Sequence, residues 1–399
     1  MQTFAILGSH HDLSLAEIKA VTGVTPTFQT DKVAIFDDIK VELTKLQARL
    51  GGTQKVGYIL GSVPMSELTA RSVDSDTANL LVATLLSSGQ TERINFGISA
   101  YSTELPQDAH YKSAGLERSA NALGLEIKKL LKNDGNSARL VTSKESTLSS
   151  VVISKNKLLE RGAEFVLIQN GNEVMIAQTA AVQNFEDWSH RDFDRPARNA
   201  KRGMLPPKLA RMMVNLSGVE PMGSTLLDPF CGSGTVLMEA ALVGFSKLVG
   251  SDISERAVQD TVKNIRWLEK EGIVLPEIEY FAAPATELSS VEPNSVDAIV
   301  TEPFLGKPRE GRESKTEVER TITELTDLYQ KSFSKLGVLL KTGGVVVAII
   351  PTHFVGRDEY KIPLDLIFPP KKFEYIFTPV LYRQKGQFLG RNIVGVRKK

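Results

Sequence analysis

The chain has 399 residues, long for a single core, so two or three domains are expected. Hydrophobic residues make up 42% and charged residues 24%, with 30 glycines and 18 prolines, which excludes a collagenous or extensively disordered chain. The formal net charge of +1 means that a polyanionic partner has to be met by a local patch, and the single cysteine excludes an intrachain disulfide.

The opening "MQTFAILGSHHDLS" lacks a basic region followed by the apolar run of a secretory signal. No window approaches the ~20 apolar residues of a membrane span, so a cytoplasmic protein is expected. Residues 3–9 and 32–38 are short, apolar and rich in β-branched or aromatic side chains, the pattern of strands. Between them "SLAEIKAVTG" has Ser14 as N-cap and Glu17 three residues on, the spacing of a capping box. A helix is expected over 74–89, a strand over 93–102, a helix over 124–135 and a strand over 137–143. Residues 163–184 read as two strands joined at Asn170-Gly171-Asn172, residues that tolerate the positive φ of a tight hairpin. The first 184 residues thus predict small α+β modules with antiparallel sheets and no solenoid repeat.

Around residue 185 the composition changes. Arg191, Arg195, Arg198, Lys201, Arg202, Lys208 and Arg211 stand against few acids, with no apolar period until Leu209, the character of a basic linker. Beyond it apolar strands alternate with amphipathic helices from "STLLDPF" to "VVVAIIP", which predicts a mostly parallel sheet covered on both faces. The final "FEYIFTPVLYR" and "RNIVGVRKK" have no helix between them and predict an antiparallel edge.

The first of those strands ends in "LLDPFCGSGT", residues 226–235. A glycine turn there sets backbone N–H groups and a helix N-terminus at the carboxyl end of a strand, where open α/β sheets bind ligands. Asp252 ends the next strand 20 residues after Gly232, the place from which a carboxylate accepts hydrogen bonds from ribose hydroxyls; its other reading is a carboxylate complementing the dipole of the helix that follows. The turn lacks the signature of a phosphate loop and begins with the acidic Asp228, which repels a pyrophosphate and suits a cation-bearing ligand such as S-adenosylmethionine. A methyl donor is favoured over a dinucleotide, and no metal is called for. Cys231 has no histidine motif beside it to act as base, so it reads as a small residue filling the turn and not as a nucleophile.

"DPFCGSGT" with a later "TEPFLG", preceded by "HRDFDRPARNAKRGMLPPKLARMMVNLSG", resembles the THUMP-domain tRNA guanosine N2-methyltransferases of the archaeal and eukaryotic position-ten type. The resemblance covers nearly the whole chain. It implies a ferredoxin-like module at 1–92, a THUMP RNA-binding module at 93–184, the linker at 185–203 and a Rossmann-like class I methyltransferase domain at 204–399. It further implies that Asp228, Phe230, Gly232, Gly234, Thr235, Asp252 and Ile253 hold S-adenosylmethionine, and that Glu302, Pro303 and Phe304 form the amine-acceptor site. The family's usual motif there is Asp or Asn, Pro, Pro, aromatic; here it is Glu302-Pro303-Phe304-Leu305, with an acceptor one methylene longer and the aromatic moved by one place. At Pro284 the family usually presents an acid to the adenine amino group, which leaves backbone groups to replace it in this chain.

Methylation of an exocyclic guanine amine requires both its hydrogens to meet acceptors and its nitrogen to lie in line with the methyl group, so positioning supplies most of the acceleration. Arg191, Arg195, Arg198, Lys201 and Arg202 are the candidates for neutralising RNA phosphates. Basic residues at 306–315 are expected in a mobile loop over the substrate, and Arg383, Lys385 and Arg391 add charge near the end of the chain. The leading expectation is a monomeric tRNA methyltransferase making N2-methylguanosine, with a small activating protein subunit as a further candidate partner. The alternatives are a tRNA-binding protein of the same fold that has lost catalysis and an amino-methyltransferase of another nucleic acid.

Overall fold

The computed structural model describes residues 1–69, 72–73, 75–87, 93–102, 109–198, 204–384 and 386–399. It divides into two units, one of residues 1–11, 22–49 and 53–185, the other of residues 12–21, 50–52 and 186–399. Among the described residues no helix is long and apolar enough to cross a membrane.

The first unit is built on an eight-stranded sheet that runs through both front segments, in the order Phe28–Gln29, Val33–Phe36, Thr3–Leu7, Thr53–Pro64, Glu173–Val182, Gly162–Asn170, Ile94–Ser102, Ala138–Val141. The hairpin forms as expected: Asn170 pairs with Glu173, and Gly171 takes φ +60° in the turn between them. The sheet is not antiparallel throughout, however. Ile94–Ser102 runs parallel to both Ala138–Val141 and Gly162–Asn170. A parallel neighbour needs a crossover connection, and the helix Ala109–Asn133 precedes Ala138–Val141 in the chain. Leu123, Ile127 and Leu131 of that helix pack with Phe96 and Phe165 of the sheet. A buried ion pair, Lys55 with Glu164, crosses the sheet; Ser99 and Thr179 donate to Glu164, and Lys55 donates to the Leu148 carbonyl at 2.8 Å. Each charge therefore has partners enough to be held without water.

The second unit has seven main strands: Thr225–Asp228, Lys247–Asp252, Glu277–Ala282, Val296–Thr301, Leu340–Val355, Phe373–Tyr375 and Leu389–Lys398. Counted along the chain, their spatial order is 3-2-1-4-5-7-6. The first five are parallel, and Leu389–Lys398 lies antiparallel between the fifth and sixth, so the expected antiparallel pair forms at this side of the sheet. Buried residues such as Leu226, Val300 and Val347 form one core, and Leu227, Ile299 and Val346 form another. The strand order reverses direction between strands one and four, which opens the crevice at their carboxyl ends where such sheets take ligands.

Ser14 and Glu17 do not form a capping box. The helix begins three residues earlier, at His11, so both residues lie inside it. Glu17 is instead buried and accepts the Gly51 and Gly52 N–H groups, each at 2.8 Å, and the Asn215 amide at 2.7 Å. Ser14 donates to the Gly52 carbonyl. Desolvation raises the Glu17 carboxyl above its ordinary range, against these donors.

Candidate active site

Strand one ends at Asp228, and residues 231–234 turn the chain into the helix Thr235–Val243. Short bonds lock the turn: Cys231 N–H to the Ser251 carbonyl at 2.8 Å, Gly234 N–H to the Cys231 carbonyl at 2.7 Å, and the Thr261 hydroxyl to the Gly232 carbonyl at 2.9 Å. Asn264 donates to the Ser233 carbonyl at 2.8 Å. Cys231 is 5% exposed, and burial pushes its thiol far above the ordinary range, so it is no nucleophile at neutral pH.

The two glycines serve different ends. Gly234 has φ +83°, and a Cβ there would lie 2.8 Å from Thr261 Cγ2, so it permits the helix to pack closely. Gly232 has φ +55°, but a Cβ would meet nothing nearer than the Phe230 carbonyl oxygen at 4.0 Å. The space above Gly232 is therefore open. Gly234→Ala should cost roughly 2–3 kcal/mol, from both strain and clash, whereas Gly232→Ala should cost only about 1 kcal/mol, from strain alone. Thermal melting of the two variants checks this order; equal losses would contradict it.

Asp228 is 2% exposed and accepts the Thr301 hydroxyl at 2.7 Å and the Phe230 N–H at 3.2 Å. Burial, with the nearby charges of Asp252 and Glu302, pushes its carboxyl up to about 7. Asp252 accepts the Gly232 N–H through Oδ2 at 3.1 Å and the Ser254 N–H through Oδ1 at 2.9 Å. Each oxygen keeps a further lone pair, so Asp252 ties the turn to the second strand and still presents acceptors. Ile253 beside it is 78% exposed, an apolar surface next to a carboxylate. These features fit the methyl donor: open space over a glycine, an acceptor for hydroxyls and a buried carboxyl that a cation would ionise.

Across the crevice, Glu302 follows the end of strand four, and its Oε1 accepts Arg391 Nε at 2.6 Å. Pro303 is buried, Phe304 is 56% exposed, and the Phe304 carbonyl is held by the Tyr329 hydroxyl at 2.8 Å. Strand ends one, two and four thus bring together Asp228, Gly232, Asp252 and Glu302 of the expected sites. The turn at Pro284 is closed by its carbonyl, which accepts the Glu287 N–H, while the Ala283 carbonyl takes the Ser251 hydroxyl.

The basic linker is corrected in large part. Residues Phe185–Phe193 are helical, and Arg191 and Arg195 point inward. Arg191 donates to both oxygens of the buried Glu239 at 2.7 and 2.6 Å and to Asp187 at 2.9 Å, while its guanidinium lies 3.9 Å from the Trp188 ring centroid. Arg211 donates to the same Glu239 at 2.9 Å. Arg195 donates to Thr235 Oγ1 at 2.7 Å, so the hydroxyl at the start of the helix is engaged from the linker. Guanidinium groups committed to buried partners are not available to phosphates. Arg198 is exposed, stacked 4.7 Å from the Phe193 ring centroid, and remains on the surface as expected. Lys201, Arg202 and Lys385 lie outside the described residues.

The 306–315 segment is likewise anchored. Arg309 donates to the Phe354 and Phe388 carbonyls at 2.8 and 3.0 Å and pairs with Glu313, which accepts the Glu310 and Gly311 N–H groups. Arg309 thus fastens to the sheet a segment expected to form a mobile loop over the substrate.

Sequence reasoning missed Thr301, Thr261, Asn264, Glu239 and the pairing role of Arg391. Glu239 carries a readable signal, since it is the one acid in "TVLMEAALV" and an acid on an apolar helix implies a buried partner.

Residues 195–355 match the UPF0020 family, described as an RMKL-like methyltransferase domain. A tRNA (guanine(10)-N2)-dimethyltransferase of Methanothermobacter thermautotrophicus is 38% identical over 156 residues, 39% of this chain and 41% of that protein. The match thus spans about two fifths of that relative's length. A probable tRNA (guanine(10)-N2)-dimethyltransferase of Methanothermococcus thermolithotrophicus is 33% identical over 160 residues, 40% of this chain and 84% of that protein. The crystal structure of TrmN from Thermus thermophilus covers all of both chains with a TM-score of 0.53 at 17% identity, which places the fold among the class I methyltransferases. Strand order, glycine turn and sequence agree: the chain belongs to the tRNA (guanine(10)-N2)-dimethyltransferase family.

Proposed function

We propose that this chain is an S-adenosylmethionine-dependent tRNA methyltransferase acting in the cytoplasm on the exocyclic N2 of a guanosine. The observation that carries the reading is the pair of carboxyls on adjacent strand ends: Asp228 beside the glycine turn, which accepts the Thr301 hydroxyl, and Glu302, the residue that follows Thr301, across the crevice. When bound, the donor supplies an electrophilic methyl group on a sulfonium. Asp252 would accept its ribose hydroxyls, Ile253 would offer an apolar face to its adenine, and Asp228, when ionised, would complement its positive charge. The Gly232 position leaves open space, and the N-terminus of the helix starting at Thr235 would favour the carboxylate of its amino-acid portion.

On the acceptor side, Glu302 and the Pro303 carbonyl take the two amine hydrogens, which directs the nitrogen lone pair toward the crevice. Phe304, exposed beside them, stacks on a base turned out of its helix. As the nitrogen gains its methyl group it loses one proton, and the Glu302 carboxylate is the group placed to take it. The front unit supplies RNA shape recognition in this reading, in line with the THUMP resemblance, and Arg198 supplies phosphate contact.

Incubation with labelled donor and unmodified tRNA should give N2-methylguanosine on nucleoside analysis. No label in any RNA would refute enzymatic activity. Salt-dependent tRNA binding without turnover, unchanged by Glu302→Ala, would identify a binding protein, and label confined to adenosine or to ribosomal RNA would identify another substrate.

A further inference from the structure

The resemblance implies Asp or Asn at position 302; Glu302 is one methylene longer, and Arg391 meets its end. Arg391 belongs to Leu389–Lys398, the antiparallel strand, where it pairs in register with Pro351 of strand five. From there its Nε reaches Glu302 Oε1 at 2.6 Å, with the two side chains 16% and 15% exposed. The contact uses one carboxylate oxygen and leaves Oε2 for another donor. We propose that Arg391 is a positioning residue for Glu302, holding the longer side chain by Oε1 so that Oε2 faces the amine of the incoming base. This rests on the methyl-transfer reading given above.

The charges around Glu302 show why a cation is needed there. Asp228 at the end of strand one, when ionised, carries the same sign as Glu302, and Tyr329 on the helix Lys315–Leu339 offers no charge at neutral pH, its phenol being pushed up by burial and by Glu302 itself. Desolvation raises the Glu302 carboxyl, and Arg391 opposes that rise through both its charge and its hydrogen bond. A carboxyl protonated in the resting protein is a weaker acceptor for an amine hydrogen and could not take the proton that the amine sheds. Without Arg391 the acceptor would fall back toward its protonated form and lose its orientation together.

The test uses Arg391→Met, Arg391→Lys and Glu302→Asp in the full chain. Infrared difference spectra between each Arg391 form and its Glu302→Gln counterpart report the protonation of Glu302 directly. The midpoint should move up by about one pH unit or more in Arg391→Met and return most of the way in Arg391→Lys. In the methylation assay, Arg391→Met should lower kcat at neutral pH by ~10²-fold, move the acid limb of the kcat profile upward and leave KM for the donor within about twofold. Arg391→Lys should recover about tenfold of that loss, and Glu302→Asp, too short to meet Arg391, should lose about tenfold despite restoring the family's residue. Coincident titrations in wild type and Arg391→Met would overturn the proposal, as would a rise in kcat in Arg391→Met, which would mark the ion pair as a block. A titration that shifts between wild type and Arg391→Met, with no methylation of any RNA by the wild-type protein, would support the pairing while refuting the proposed function.

Discussion

Glu239→Gln is expected to destabilise the second unit by about 3–5 kcal/mol, roughly 10 °C in its calorimetric transition. Glu239 is 1% exposed and stands between Arg191 and Arg211, each 4% exposed. It receives four guanidinium contacts, two from Arg191 at 2.7 and 2.6 Å and two from Arg211 at 2.9 and 2.8 Å. An amide has one acceptor oxygen and no charge, so the substitution leaves two desolvated cations facing each other over the Trp188 ring. Removing one partner of such a cluster costs far more than replacing the cluster together, because the residual buried charges lose their main counter-ion without regaining water. The triple change Arg191→Met, Arg211→Leu and Glu239→Leu should therefore melt much closer to wild type than Glu239→Gln alone. The effect should also survive salt, since buried pairs are weakly screened. A Glu239→Gln transition within about 2 °C of wild type would show that Asp187 and backbone groups suffice to hold the two arginines.

The same cluster explains what the sequence hid. Strand and helix alternation after residue 204 was legible because the parallel strands are continuous apolar runs, and the turn with Asp252 was legible because its spacing follows from the geometry of a strand-turn-helix unit. The helix Phe185–Phe193 was not, since its buried residues are Trp188 and Arg191. Counted as polar, an inward arginine erases the apolar period and makes a packed helix look like a charged linker. The start of the helix Lys315–Leu339 was hidden for a related reason: its first turns are polar and only Val318 is buried there. The capping box of Ser314 and Glu317 marks the true start. Glu302 and Arg391 are 89 residues apart, and only the antiparallel pairing of the last strand brings them together. No local pattern specifies that register. In the front unit, short apolar runs specified strands but not their direction, and the parallel pairs around Ile94–Ser102 depend on a crossover that a single segment does not encode.

Donor affinity is expected to rise with pH and level off near neutrality, and Asp228→Asn is expected to abolish that dependence. The sign follows from the direction of the shift. The Asp228 carboxyl of the ligand-free protein titrates at about 7, so below that pH it is mostly protonated. A cationic donor favours the ionised form, which means that binding expels a proton wherever the free protein holds one. Affinity then climbs toward about tenfold per pH unit on the acid side and becomes flat above about pH 7, where no proton remains to expel. S-adenosylhomocysteine lacks the sulfonium charge and should show a shallower slope. Asp228→Asn cannot titrate; at about pH 8 it should bind the charged donor roughly tenfold more weakly, with little change for the product. Glu302 also faces Asp228, so Glu302→Gln serves as the control and should retain the slope. Calorimetry in two buffers of different ionisation enthalpy counts the released protons directly. Parallel slopes for donor and product, or a slope that persists in Asp228→Asn and vanishes in Glu302→Gln, would remove Asp228 from the sulfonium's surroundings and reassign the proton to the acceptor side of the crevice.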